Sequence, residues 1–202
     1  MRARLNLLPD PYLEPYHGQL QARLRTAGAV INQETFGDVF DSLMRSTLQI
    51  GFGGAGAHEG TVWLVDRARD CLVPVYNTGP DPEGFTTKVA PQPLSRGLIS
   101  GVFAREQAFC ENDVDRHASH DKSVDRTLGL VTTAMIAVPF YFAQEVRGVI
   151  SCVQVKSASE DQTTESSGFP PASLRHVQFS AEVITRLIDY ALLRAVLGNP
   201  LT

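Results

Sequence analysis

The sequence has no surplus of positive charge. Eighteen lysines and arginines stand against twenty-two aspartates and glutamates, a net charge of −4. Gripping a phosphate backbone takes a basic stripe that displaces counterions, so nucleic-acid binding has no support here. No apolar run approaches the ~20 residues of a membrane span. The leading MRARLNLLPDPYLEP offers only Leu5, Leu7 and Leu8 before Pro9 and Pro11, too little for the apolar core of a secretion signal. A cytoplasmic protein without membrane contact is expected. Cysteine is scarce as well. Cys71, Cys110 and Cys152 are widely spaced among apolar neighbours, which matches neither a disulfide framework nor a zinc motif. Buried, reduced thiols are expected.

What is present is globular. Of 202 residues, 43% are hydrophobic and 20% charged, enough for one domain that hides roughly 70% of its unfolded surface. Leu20, Leu24, Ala27 and Ile31 share one helical face, and Phe36, Val39, Phe40, Leu43 and Thr47 repeat the spacing. Five glycines in GFGGAGAHEG (51–60) are expected to end helical structure and form a connector. The stretch lacks the preceding strand and the Lys-Ser/Thr ending of a phosphate-cradling loop. TVWLVD (61–66) and CLVPVYNTG (71–79) flank RARD as a β-hairpin, with GFTTKVA (84–90) a possible third strand. GLISGVFAREQ (97–107) reads as a short helix and AFC (108–110) as a short extended piece. TTAMIAVPFYF (132–142) and VRGVISCVQVK (146–156) are the strongest strands, joined by a tight turn.

Two polar stretches interrupt this pattern. ENDVDRHASHDKSVDRTLG (111–129) has few apolar residues, and loops this long in compact domains are functional or mobile. SASEDQTTESSG (157–168) is a polar loop. Beyond Pro170 and Pro171 a long helix is expected over 172–197, where Leu174, Val177, Ala181, Ile184, Ile188, Ala191 and Ala195 follow a heptad seam. Val183, Leu187, Tyr190 and Leu192 widen its apolar surface, so it needs cover on two sides, by the sheet and by the N-terminal helices or a second subunit. The chain divides into an N-terminal helical extension (1–33), a single domain that includes the closing helix (34–197), and a tail (198–202).

GTVWLVDRARDCLVPV, PLSRGLISGVFAREQAFCENDV and TTAMIAVPFYFAQEVRGVISCVQV, in that order, resemble the GAF domain family over roughly residues 34–195. The resemblance implies an α+β, GAF/PAS-like fold: an antiparallel sheet with helices packed on one face and long terminal helices. It further implies a small-molecule pocket on the other face, closed by segment 111–129, and pairing of subunits through the first and last helices. DKSVDRTLGLVTTAMIAVP most resembles the cyclic-nucleotide-binding branch, with Leu128 inserted between Thr127 and Gly129. That branch carries an acidic pair four and five residues after its Phe; Phe169 matches the Phe, but Ser173 and Leu174 stand where the acids belong.

Three chemistries have candidate residues in this sequence. For a ligand pocket, Ser95 and Arg96 precede a helix start, where free N–H groups favour an anion. Asp113, Asp115, Arg116, Asp125, Arg126, Thr132 and Thr133 supply polar groups on the lid and strand. For a thiol enzyme, free methionine-(R)-sulfoxide reductases are single GAF domains, but Ile99 occupies one cysteine position, Leu-Val-Thr-Thr-Ala covers the other, and Cys110 is displaced from both. For a metal, His117 and His120 lie among Asp113, Asp115 and Asp121 at a spacing that fits no standard motif. The Cys-His dipeptide that anchors bilins in this family does not occur. Trp63, Phe103 and Phe140 are expected in the core, and one of Tyr141 and Phe142 is expected at the pocket because neighbours on a strand face opposite ways. The expected function is a non-catalytic sensor without cofactor or bound metal. It would take a small-molecule ligand, a cyclic nucleotide or a relative, and signal as a homodimer to a separate output protein. The rival readings are a scaffold dimer with no ligand and, behind it, the reductase.

Overall fold

The computed structural model describes residues 11, 12, 14–157 and 168–198. The leading segment, nearly all of the polar loop 157–168 and the tail beyond Gly198 lie outside them. Helix α1 (His17–Val30) buries Leu24 and leads to a single turn, α2 (Phe36–Val39), in which Phe36 stacks on Phe40 with centroids 4.8 Å apart. Asp41 then caps α3 (Ser42–Ala55) by accepting from the Met44 amide at 2.9 Å.

The glycine cluster does not end the helix where its composition indicates. Helix α3 runs through Gly51, Gly53 and Gly54 and stops only at Gly56, which takes the left-handed conformation (φ +79°) at the C-terminus. Packing overrides propensity here. A Cβ at Gly51 would strike Ser180 of the closing helix, so the missing side chain is what lets the two helices approach.

Six antiparallel strands follow: β1 (Glu59–Val65), β2 (Cys71–Asn77), β3 (Gln92–Pro93), β4 (Phe109–Glu111), β5 (Leu130–Phe142) and β6 (Glu145–Ser157). Their order across the sheet is β3-β2-β1-β6-β5-β4. GFTTKVA is a helix and not a strand. Asp81 accepts from the Gly84 amide at 2.9 Å and Pro82 sits in the first turn, so Asp-Pro-Glu opens α4 (Pro82–Lys88). The third strand is instead the two residues Gln92–Pro93, paired to Leu72 and Cys71. Segment 111–129 is also more ordered than its polarity indicates. It holds a 3-10 turn (Val114–Arg116) with Val114 buried, and a helix, α6 (Ser123–Leu128), with Asp125 buried.

The sheet is dry on both faces. On one face Val62, Leu64, Ile136, Val138, Phe140, Phe142 and Ile150 pack against α1, α3 and the long α7 (Ser173–Leu197). Tyr141 and Phe142 do point opposite ways, yet neither reaches a pocket: Phe142 enters this core, and the Tyr141 hydroxyl donates to Glu106 at 3.1 Å. On the other face Trp63, Leu72, Met135, Ala137 and Val149 meet α4 and α5 (Leu98–Arg105) through Phe85, Ile99, Val102 and Phe103. A β-bulge between Thr132 and Ala134 leaves Thr133 as an extra residue against β6, and its hydroxyl donates to the Gln154 carbonyl at 2.9 Å. The bulge resets the alternation, so that Thr132 joins Met135 on the second face.

Two glycines that look alike in sequence separate the packing argument from the propensity argument. Gly51→Ala should destabilise by about 1–3 kcal/mol, because the methyl group displaces Ser180 and its 3.1 Å bond to the Thr47 carbonyl. At Gly54 the nearest atom to an added Cβ is the exposed His176 ring at 3.2 Å, so Gly54→Ala should be neutral or gain up to about 1 kcal/mol. Urea unfolding of the two variants checks both.

Candidate functional site

Alternate residues of the sheet's second face line a cavity of about 70 Å³: Glu59, Thr61 and Trp63 from β1, Ser151, Val153 and Val155 from β6, and Thr132 and Met135 from β5. Phe85 of α4, Leu98 and Ile99 of α5, and Val124 and Asp125 of α6 close it. At ~10–15 Å³ per water-sized group it holds roughly five to seven such groups. Trp63 is therefore both core and wall. Its indole N–H is committed to Ser151 Oγ at 2.9 Å, and its ring meets Phe85 edge-on at 6.1 Å.

Asp125 fastens the lid to the sheet. Its Oδ1 accepts from the Thr132 hydroxyl at 2.7 Å and its Oδ2 from the Thr132 amide at 3.0 Å, with His120 Nε2 3.1 Å from the same oxygen. Burial pushes this carboxyl up, but the bonds from His120 and Thr132 outweigh burial and hold it below the usual carboxylate value. Beside it, Asp121 accepts from the Ser123 amide at 3.0 Å and lies 3.1 Å from Arg96 Nε, and it too sits below its ordinary value. Glu59 behaves differently. Only 8% exposed, it has His58 as its sole electrostatic relief, and burial raises its carboxyl above the ordinary value.

Outside the lid, an open groove of about 830 Å³ runs along α5 and residues 117–122, sharing Gly97, Leu98, His120 and Asp121 with the cavity. Ser95, Arg96, Arg105, Lys122 and Arg126 line it, so four cations face one carboxylate, Asp121.

The residues expected at the site thus fall into separate places. Asp125 and Thr132 line the inner cavity; Ser95, Arg96 and Arg126 line the outer groove. Thr133 faces neither, because the bulge turns it to the β6 backbone. Asp113, Asp115 and Arg116 also line neither; Asp113 and Arg116 are exposed and face each other at 3.8 Å. Among the described residues no three histidines, cysteines or acids gather as a metal site. His120 is taken up by Asp125, and His117 Nδ1 accepts from the Ser119 amide at 3.2 Å. Glu59, Thr61 and Ser151 carry no motif of their own, and Trp63 is expected from the sequence in the core alone. Their signal was strand alternation alone: once β1 faces the cavity at Trp63, positions 59 and 61 must face it too.

The thiols are not all buried. Cys152 is, and burial pushes it up to about 12, while Cys110 is exposed and Cys71 half-buried. Desolvation and neighbouring acids raise both of the latter, and no cysteine lines the cavity or the groove.

No family model and no curated protein matches the sequence. Solved structures do match. The GAF domain of a phosphoenolpyruvate-protein phosphotransferase from Coxiella burnetii superposes with a TM-score of 0.57 at 16% identity, over 89% of this chain and 95% of that one. This is the GAF fold. The GAF domain of the corresponding Acinetobacter protein gives 0.56 at 15% identity over 96% and 100% of the two chains. Free methionine-R-sulfoxide reductase from Neisseria meningitidis, solved with its substrate, gives 0.51 at 18% identity over 95% and 99%. No described helix is long and apolar enough to cross a membrane.

Because folding depresses Asp125, its contribution to stability is complete at neutral pH and is lost as pH falls below 3.8 through its folded value. Asp125→Asn should cost about 1.5–3 kcal/mol at pH 7. The gap between variant and wild type should narrow below pH 3.8, as denaturant titrations at pH 7 and pH 3 would show.

Proposed function

We propose that the protein is a non-catalytic regulatory sensor, in which occupancy of the inner cavity changes the order of segment 111–129 and, through it, the seating of α7. One observation carries this reading. Asn112, at the start of the lid segment, is bonded twice to Phe169 at the entry to α7: its Nδ2 donates to the Phe169 carbonyl at 3.2 Å, and the Phe169 amide donates to its Oδ1 at 2.7 Å. Phe169 is itself buried in the helix-side core. The lid and the closing helix therefore share a joint on the chain between them. A ligand that favours one lid arrangement must favour the matching arrangement of the joint.

Other features agree. With every thiol shifted toward its neutral form and away from the cavity, reductase chemistry lacks its nucleophile. Leu43 and Ile50 of α3 and Phe179, Tyr190 and Leu197 of α7 are exposed on packed neighbouring helices, with Ile50 75% and Phe179 67% accessible. That surface suits the homodimer through which the signal passes to an output partner. A cyclic nucleotide is several times larger than the 70 Å³ cavity and fits this reading only with the lid displaced; a smaller ligand fits it as it stands. The same small volume favours the second reading, a scaffold dimer whose cavity only completes the packing.

Asn112→Ala separates the two without any ligand. On the sensor reading, amide hydrogen exchange should rise roughly tenfold both at 113–117 and at the first turn of α7, for a loss of about 1.4 kcal/mol. Faster exchange confined to 113–117 would leave the scaffold reading.

A further inference from the structure

Resting on the sensor reading, we infer that the inner cavity takes a compact organic cation, a small primary ammonium, with Glu59 as its counter-ion. The charges around the cavity do not match. Asp121 faces Arg96 at 3.1 Å, and Asp125 faces His120 at 3.1 Å while accepting two bonds from Thr132. Among the described residues no salt bridge or hydrogen bond acts on the Glu59 carboxylate, whose Oε2 lies against Gly79, and the neighbouring His58 relieves it. Glu59 is 8% exposed as a residue and its carboxylate has no hydrogen-bond partner among the described residues, an arrangement that becomes more favourable when a positive group enters beside it.

The rest of the wall suits the same guest. The indole N–H of Trp63 is already spent on Ser151, so Trp63 offers the cavity its ring, a surface that attracts cations. The Thr61 and Ser151 oxygens accept from Asn77 Nδ2 and Trp63 Nε1, and each has a further lone pair for an ammonium N–H. Val153, Val155 and Phe85 give a short alkyl chain its contacts. Room for roughly five to seven water-sized groups excludes long polyamines and nucleosides. The cations of the outer groove cannot serve Glu59 in the closed arrangement, because Asp121, His120 and α6 stand between.

Binding must then be linked to protons. Burial raises Glu59 above 4.5, so below its folded value the side chain is a neutral acid and cannot pair with an ammonium. Affinity rises with pH, about tenfold per unit below that value, and levels off above it. The groups facing the site that also act on this profile are His58, just before β1, and His120, Asp121 and Asp125 on the lid.

The test is a thermal-shift and calorimetric titration of the full chain with propylammonium chloride, n-propanol and sodium propionate at pH 5, 6, 7 and 8. Glu59→Gln is run in parallel. The inference expects propylammonium to bind best, more weakly as pH falls through the folded Glu59 value, and about tenfold or more weakly to the variant, without the pH dependence. Because the carboxylate has no partner to lose, the variant should unfold at the wild-type midpoint or above, which shows that weaker binding is not misfolding. Equal or tighter binding of propanol or propionate, or unchanged propylammonium affinity in the variant, overturns the cation while leaving a ligand-binding cavity. No binding by any of the three to the wild type overturns the cation, while the sensor reading is decided separately by the Asn112→Ala exchange measurement.

Discussion

Strands β5 and β6 carry apolar side chains on both faces, and the rest of the molecule is arranged to keep water from both. Ile136, Val138, Phe140 and Ile150 need the long helices, while Met135, Ala137 and Val149 need α4 and α5. Because side chains alternate strictly, any shift of register exchanges the two populations. Register also shifts at Phe140/Tyr141 and at Val62/Trp63, but it is the bulge at Thr133 that brings Thr132 to the cavity wall to meet Asp125. The lid is held by that resetting.

A sheet dry on both sides is also a connection between them. Ser151 and Val153 touch the cavity, and their strand neighbours Ile150 and Cys152 sit in the helix-side core, so neither layer can repack without the other feeling it. Gln154 adds a fixed point by donating to the carbonyls of Gly56 at 3.0 Å and Gly168 at 3.2 Å, which ties β6 to the end of α3 and to the approach to α7. At the opposite end, buried Asp189 of α7 accepts from the Ala143 amide in the β5–β6 turn, at 2.6 Å. The closing helix is thus bonded to the sheet near both of its ends, and the Asn112–Phe169 joint adds the lid at one of them.

Much of this arrangement was legible in the sequence. Alternation gave the hairpin and the β5–β6 pair, and heptad spacing gave α7 to within a residue. What failed had local causes. The glycine run reads as a helix breaker until the packing of Gly51 against Ser180 is known, and that contact joins residues far apart in the chain. GFTTKVA alternates like a strand, yet Asp81 and Pro82 just before it supply a helix start that outweighs the alternation. Part of the polar segment does cover a cavity, but its charged residues do not sort from sequence, because a 3-10 turn and a short helix aim Asp125 inward and Asp113 and Arg116 outward. Glu59 escaped notice because nothing local distinguishes a solvated glutamate from one at the end of a buried strand.

On the proposed reading, the cavity and the closing helix are one mechanical system joined at Asn112 and Phe169. Amide hydrogen exchange of the full chain, with and without a saturating cavity ligand such as propylammonium, tests it most directly. Protection at 113–128 and over the first two turns of α7 should change together, with the Phe169 amide among the responders. A change confined to the cavity wall and lid, with α7 exchanging as before, would contradict it.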